Sequence, residues 1–275
     1  MRIGLDVSPL ARNRAGVGTY IAHLLTALVR IAPDHDYCFY TPQPLPEKDC
    51  AVFGVHPHVR IVRCPALLMG LRARWDQVDL FHGLNFRLRG WGRRGGLVTI
   101  YDLAVDRLGL PSRKLFGQRR SFLRTRRTAL RASRVITISE HSAADIVGPP
   151  GVARARIPIV SPAVSPEFSA PADPRAIAAV TARYGIRRDG FVLSGGGAEP
   201  RKNIVMLVEA FRRAPCLRER MTLVVVGGMD HGSEAIRAAV VRARLESAVI
   251  LPGHAPHDDL RALYAGCALL ARPSL

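Results

Sequence analysis

Residues 191–211 read FVLSGGGAEPRKNIVMLVEAF, an apolar run, three glycines, a Pro-Arg-Lys-Asn step and an amphipathic stretch. Phe191, Val192, Leu193 and Ser194 predict a buried strand. Ile204, Leu207, Val208 and Phe211 fall at i, i+3, i+4 and i+7, one face of a helix. Strand, glycine turn and helix start together suit an anion. Gly196 and Gly197 let a ligand approach the backbone, and the helix start offers N–H groups that lack intrahelical partners. Arg201, Lys202 and Asn203 stand beside it. Arg201 can fork two bonds onto a diphosphate, while Lys202 acts as a point charge. Neither G-x-x-x-x-G-K-[ST] nor G-x-G-x-x-G with an acid about twenty residues on occurs here. A plain glycine-rich connection flanked by solvated cations is the other reading of this segment.

Downstream, apolar runs at 191–194, 222–226, 248–251 and 268–271 alternate with helical patterns at 203–214, 233–245 and 258–266. Strand alternating with helix predicts a parallel sheet covered on both faces. Gly227 and Gly228 end one of these strands, and Leu251 and His254 bracket the end of another, at the edge where Arg201 and Lys202 would lie. Upstream, residues 1–10 predict a first strand. A helix over 19–31 follows, with Ile21, Leu24, Leu25, Leu28 and Val29 on one side. Gly16 and Gly18 precede it, either closing on a phosphate or sugar or making a simple turn.

Further strands are expected at 37–41, 59–62, 79–82, 97–100, 134–138 and 157–160. Ligands of open α/β sheets bind at the carboxyl ends of strands, which makes His82, Asn85, Tyr101 and Asp102 site candidates. A lone histidine such as His82 also reads as a satisfied structural group. Ser139 is a good helix N-cap and a further candidate. Residues 111–132, PSRKLFGQRRSFLRTRRTALRA, predict a basic helix with Leu115, Phe116, Phe122, Leu123 and Leu130 on a partial apolar face. Such a helix, over 113–131, either lies on an anionic bilayer or is a domain helix with a solvated cationic side. Pro166, Pro171 and Pro174 mark a linker, giving domains over 1–170 and 171–275.

A chain of 275 residues with 48% hydrophobic and 23% charged residues has an ordinary globular balance, enough for two cores. Its formal net charge of +18 favours phosphates or anionic lipid surfaces as partners. The basic residues are arginine apart from Lys48, Lys114 and Lys202, so the excess carries little weight for nucleic acid, and an aromatic content of 6% argues against it. Five scattered cysteines without a C-x-x-C pair suggest reduced thiols rather than a zinc site or disulfide frame, so no metal is expected. No signal-type leader or long apolar run is seen, and a cytoplasmic protein is expected.

Five landmarks then stand in one order: GVGTY at 16–20, TIYDL at 99–103, RVITISEHS at 134–142, EPRKN at 199–203 and LPGHAPHDDLRALYAGCALLAR at 251–272. With them the chain resembles the retaining, nucleotide-sugar-dependent GT-B glycosyltransferases of the "group 1", family 4 type, which include many bacterial mannosyltransferases. That resemblance implies an α/β protein of two doubly wound, Rossmann-like domains facing a cleft, and a hexose moved to a glycan or lipid-linked acceptor without metal or cofactor. Arg201 and Lys202 would stabilise the departing nucleoside diphosphate, with Gly196, Gly197 and Asn203 beside them and Gly16 and Gly18 meeting the same phosphates. Gly227, Gly228, Leu251 and His254 would line base and ribose. Asp102 would be catalytic, and Tyr101, His82, Asn85 and Ser139 would face sugar or acceptor.

The chain departs from the family in two places. Tyr101 stands where the family has histidine, and a phenol with a pKa of about 10 is a poor proton carrier near neutral pH. The sequence ends at Leu275, where the family continues with a loop bearing two glutamates, so a truncated second domain is expected. The alternatives are a nucleotide-sugar epimerase on the same fold, or a non-catalytic basic protein that binds membranes or anions. An enzyme of this type would work in the cytoplasm, as a peripheral protein at the inner face of the membrane.

Overall fold

Alternation of side chains along short parallel strands organises both halves of the chain. The computed structural model describes residues 1–11, 16–103, 115–169, 171, 173–186, 190–228 and 232–275, with backbone only at 115–120. The chain divides into two compact units, Met1–Pro162 and Ala163–Leu275. The sequence puts the boundary at 170/171. Residues 163–169 join the second unit because Phe168 packs edge-on against His257 and Tyr264, at centroid distances of 5.3 and 5.9 Å.

The first unit holds a six-stranded sheet of β1 (Arg2–Asp6), β2 (Asp36–Thr41), β3 (Val59–Arg63), β4 (Leu80–Gly83), β5 (Gly96–Thr99) and β6 (Arg134–Ile136). Their order is β3-β2-β1-β4-β5-β6, parallel throughout. This is the doubly wound order, with its switch point between β1 and β4. Helix α1 (Gly16–Ile31) packs Ile21, Leu25 and Val29 onto Ile3, Leu5, Tyr37 and Phe39. Elsewhere on the sheet α3 (Met69–Trp75) meets Tyr40 and Phe81, while α4 (Leu115–Arg131) and α5 (Glu140–Val147) meet Val98, Ile100 and Val135. Right-handed crossovers put the β3–β4 and β5–β6 connections on one face of such a sheet. Residues 84–95, which join β4 to β5, form no helix.

Several expectations change. Helix α1 starts at Gly16, so Gly16 and Gly18 belong to its first turn instead of preceding it. The expected strand at 157–160 is reduced to one bridge, Thr137 to Ile159, because Pro158 has no N–H to offer a ladder. The described side chains of the basic helix do not gather on one apolar face. Phe122 packs toward the core, whereas Leu123 and Leu130 are exposed. Its Arg113 and Lys114, and residues 12–15 of the loop before α1, lie outside the described residues. Helices α2 (Glu47–Gly54) and α3 are additions that the periodicity did not show.

The second unit holds β7 (Gly190–Gly195), β8 (Met221–Val226), β9 (Val249–Gly253) and β10 (Leu269–Leu270) in the order β10-β7-β8-β9, again parallel. Read from β9 this repeats the first four places of the other sheet, with the switch point between β7 and β10. Val192, Leu223 and Val225 face α7 (Ile204–Arg212) and α9 (Ser233–Arg242). Phe191, Leu193, Val224 and Val226 face α6 (Pro174–Arg183) and α10 (His257–Gly266). Asp259 ties these last two helices together, accepting from Arg183 at 2.6 and 2.8 Å and from the Tyr184 hydroxyl at 2.7 Å. A short helix α8 (Pro215–Arg220) precedes β8. Among the described residues no helix is long and apolar enough to cross a membrane.

Candidate functional site

At the carboxyl end of β7 the chain passes through Gly196 and Gly197, with φ of +115° and +83°, conformations open to glycine and costly for other residues. Gly227, after β8, has φ +136°, and a Cβ there would lie 2.2 Å from the Gly197 nitrogen and 2.7 Å from its Cα. The two strand ends therefore touch backbone to backbone. The Gly196 N–H donates to the Val226 carbonyl (3.1 Å), that of Ala198 to Gly228 (3.0 Å), and that of Gly227 to Gly253 (2.8 Å). Glycine removes the side chains that would otherwise cover this edge.

Cations gather over the bare backbone. The place a Gly196 Cβ would occupy lies 3.5 Å from Lys202 Cε, 3.8 Å from Lys202 Nζ and 3.5 Å from an Arg272 Nη. Lys202 comes from the 3₁₀ turn Pro200–Lys202, and Arg272 follows β10, the strand beside β7. Among the described residues Arg272 has no ion-pair partner. Two cations held around one point repel each other, and an anion between them removes that cost. Arg272 closes the last of the five sequence landmarks but was not among the expected site residues. Its signal was topological: the residue after the strand that neighbours β7 at the switch point.

The other expected donor residues divide. Arg201 is half-exposed and its Nε donates to Glu199 Oε2 at 2.6 Å, so its guanidinium already has a carboxylate. Asn203 adopts the left-handed conformation (φ +55°) between the 3₁₀ turn and α7, without a side-chain cap bond. Gly228 and His254 are exposed at the same edge. Leu251 instead packs against the core of α7 and α9, which makes it a packing residue.

The matching edge of the first unit looks different. His82 Nε2 lies 2.9 Å from Thr99 Oγ1, and burial pushes its pKa down to about 4, so the ring is neutral across physiological pH. The Tyr101 hydroxyl donates to the Leu84 carbonyl at 2.8 Å, its ring stands edge-on to Tyr20, and burial raises its pKa. Ser139 caps α5, accepting from the Ser142 N–H at 3.1 Å. Each of those three side chains is hydrogen-bonded within the unit. Asn85 is half-buried and Asp102 exposed, beyond the ends of β4 and β5. Gly16 is exposed, with nothing within 4 Å of where its Cβ would be. Sequence reasoning missed Asp6, buried at the end of β1, whose carboxylate accepts from Ser8 and from Arg89 Nη1 (2.5 Å).

No family model matches the chain. It is 26% identical over 228 residues to the O-antigen chain mannosyltransferase B of Escherichia coli, covering 78% of this chain and 57% of the relative. It is 31% identical over 149 residues to the serotype-specific mannosyltransferase WbdA of Escherichia coli, covering 53% of this chain and 18% of that protein. The chain thus spans a little over half, or less, of the curated relatives it matches. Among solved structures, WaaG, a glycosyltransferase of lipopolysaccharide biosynthesis, superposes with a TM-score of 0.71 at 16% identity, over 100% of this chain and 75% of WaaG. Anabaena HepE in complex with UDP and glucose gives 0.70 at 17% identity, over 99% and 74%. The α/β fold with parallel sheets is the one these glycosyltransferases share, and the second unit of this chain is the smaller.

Proposed function

We propose that the chain is the nucleotide-sugar-handling part of a glycosyltransferase that moves a hexose, mannose or a similar sugar, from a nucleoside diphosphate to a glycan or lipid-linked acceptor. The observation that carries this reading is the pair of cations, Lys202 and Arg272, over a side-chain-free glycine edge at the switch point of β7 and β10. Similarity to two mannosyltransferases supports the sugar class, and HepE, with the same fold, binds UDP-glucose.

On this reading the diphosphate oxygens rest on Gly196 and Gly197, and the cations neutralise charge as the sugar–phosphate bond breaks. Charge that grows on a leaving group is stabilised most by fixed cations at the place where it develops. Arg201 joins them by exchanging Glu199 for phosphate. Transfer proceeds with retention and without metal, the lysine and arginines supplying the positive charge. Asn85 and Asp102, beyond the ends of β4 and β5, meet acceptor or sugar. The enzyme acts in the cytoplasm at the inner face of the membrane.

Calorimetric titration with GDP and with UDP tests the proposal. One of them binds the wild-type chain, and Lys202→Ala weakens that binding about 10- to 100-fold, the worth of one charge-assisted bond. Equal affinity in wild type and variant removes the donor site from this edge.

A further inference from the structure

Where the doubly wound order calls for a helix between β4 and β5, residues 84–95 run as a loop. The space beside α3 and α4 is left as a groove of about 1040 Å³. Leu71, Val78, Leu88 and Trp91 give it apolar lining, and Arg74, Arg89, Arg93, Arg127 and Arg131 surround it, with no acidic residue in its walls. Arg89 is engaged by Asp6 and Arg93 by Asp79 at 2.6 Å. Arg74, Arg127 and Arg131 have no acidic partner among the described residues.

Helix α3 beside the groove has an unusual division of faces. Met69 and Ala73, one turn apart, are buried against Tyr40 and Phe81. Leu71 and Trp75, also one turn apart, point outward at 69% and 83% exposure, and Leu67, in the turn before the helix, is 96% exposed. Across the groove Trp91 is 47% exposed. These are the only two tryptophans of the chain, and both stand on this one surface. Exposed leucine and tryptophan next to unpaired arginine is the pattern of a surface that enters a lipid headgroup layer.

We propose that the groove between α3, α4 and the 84–95 loop seats the phosphate headgroups of an anionic bilayer, while Leu67, Leu71, Trp75 and Trp91 enter the interface around it. Charge complementarity selects this occupant: a second copy of the chain would bring the same arginines face to face. The inference rests on the reading of a membrane-surface transferase and names the surface that performs the contact.

The test is tryptophan emission and vesicle sedimentation of the full chain without any nucleotide. With phosphatidylglycerol vesicles the emission shifts to the blue and the protein sediments. Phosphatidylcholine vesicles, or inorganic phosphate alone, leave both unchanged. Arg74→Glu, Arg127→Glu and Arg131→Glu together lower the partition coefficient by more than about 100-fold, since losing each surface cation alone costs about a factor of five. Arg175→Glu, Arg237→Glu and Arg242→Glu, exposed in the second unit and matched in charge, lower it less than about fivefold. Trp75→Ser with Leu71→Ser lowers it about tenfold, with the circular dichroism of wild type. Emission that phosphatidylglycerol does not move overturns the proposal, as do equal losses in the two charge-reversed triples. So does self-association in sedimentation velocity that Trp75→Ser abolishes. GDP or UDP binding is measured in solution without vesicles, so its loss or survival judges the donor reading separately.

Discussion

The two sheets begin alike and finish differently at their carboxyl edges. Both run 3-2-1-4 from the outer strand inward, and both have a switch point beside their first strand. In the first unit that edge carries polar side chains that answer one another: Asp6 with Arg89, His82 with Thr99, Tyr101 with the Leu84 carbonyl. In the second the same edge is glycine, with Lys202 and Arg272 above it. Strand order makes both edges possible sites, and the proposed anion site is the one whose edge is glycine and cation. On the proposed reading, the positive potential of the second edge favours a phosphate more than the hydrogen-bonded edge of the first does.

Substituting glycine breaks this contrast with the largest effect. Gly227→Ala drives a methyl into the Gly197 backbone at a positive φ, and denaturant unfolding should show the second unit weakened by about 3 kcal/mol or more. Gly16→Ala, where the Cβ meets open space, should change stability by less than about 0.5 kcal/mol.

Acid titration sharpens the other side. His82 has a pKa near 4 folded and about 6.5 unfolded, so between these values the unfolded chain binds the extra proton. Stability of the first unit is full above pH 6.5 and falls by about 3 kcal/mol as pH drops toward 4. In His82→Gln the part of the pH slope due to this ring should vanish. An unchanged slope between pH 4 and 6.5 would show that the ring is not buried neutral.

Affinity gives the next comparison. Lys202→Ala and Arg272→Ala should each weaken GDP or UDP binding about 10- to 100-fold. Arg201→Ala should cost about tenfold or less, because that guanidinium must first leave Glu199. Calorimetry that ranks Arg201 above the other two would reverse the assignment of the cradle. Tyr101→Phe, in turn, removes one buried hydrogen bond, costs about 1 kcal/mol of stability, and leaves nucleotide affinity unchanged.

The sequence was most informative where periodicity and glycine spoke together. The runs behind β7, β8 and β9 and the helical faces of α1, α7 and α10 were legible because their apolar residues repeat over several turns or strand positions. Helices α2, α3 and α8 were not, being one to two turns long, and α3 hides Met69 and Ala73 while exposing Leu71 and Trp75. A run of β-branched residues at 157–160 was misleading because Pro158 interrupts its ladder. At the candidate site, Gly196, Gly197, Gly227 and Lys202 were singled out from local spacing, and the structure brings them to one sheet edge. Arg272 could not be, since its place depends on β10 lying beside β7, a pairing of distant segments that spacing does not reveal. His82, Tyr101 and Ser139 stand at strand ends as expected, and the hydrogen bonds each makes within the unit are what spacing does not reveal.

Hydrogen–deuterium exchange of the chain, with and without saturating GDP or UDP, tests the central claim most directly. The account predicts slowed exchange over residues 195–204 and 226–228, with residues 80–88 at the ends of β4 unaffected. Protection confined to residues 80–88, with the glycine edge of the second unit unchanged, would contradict it.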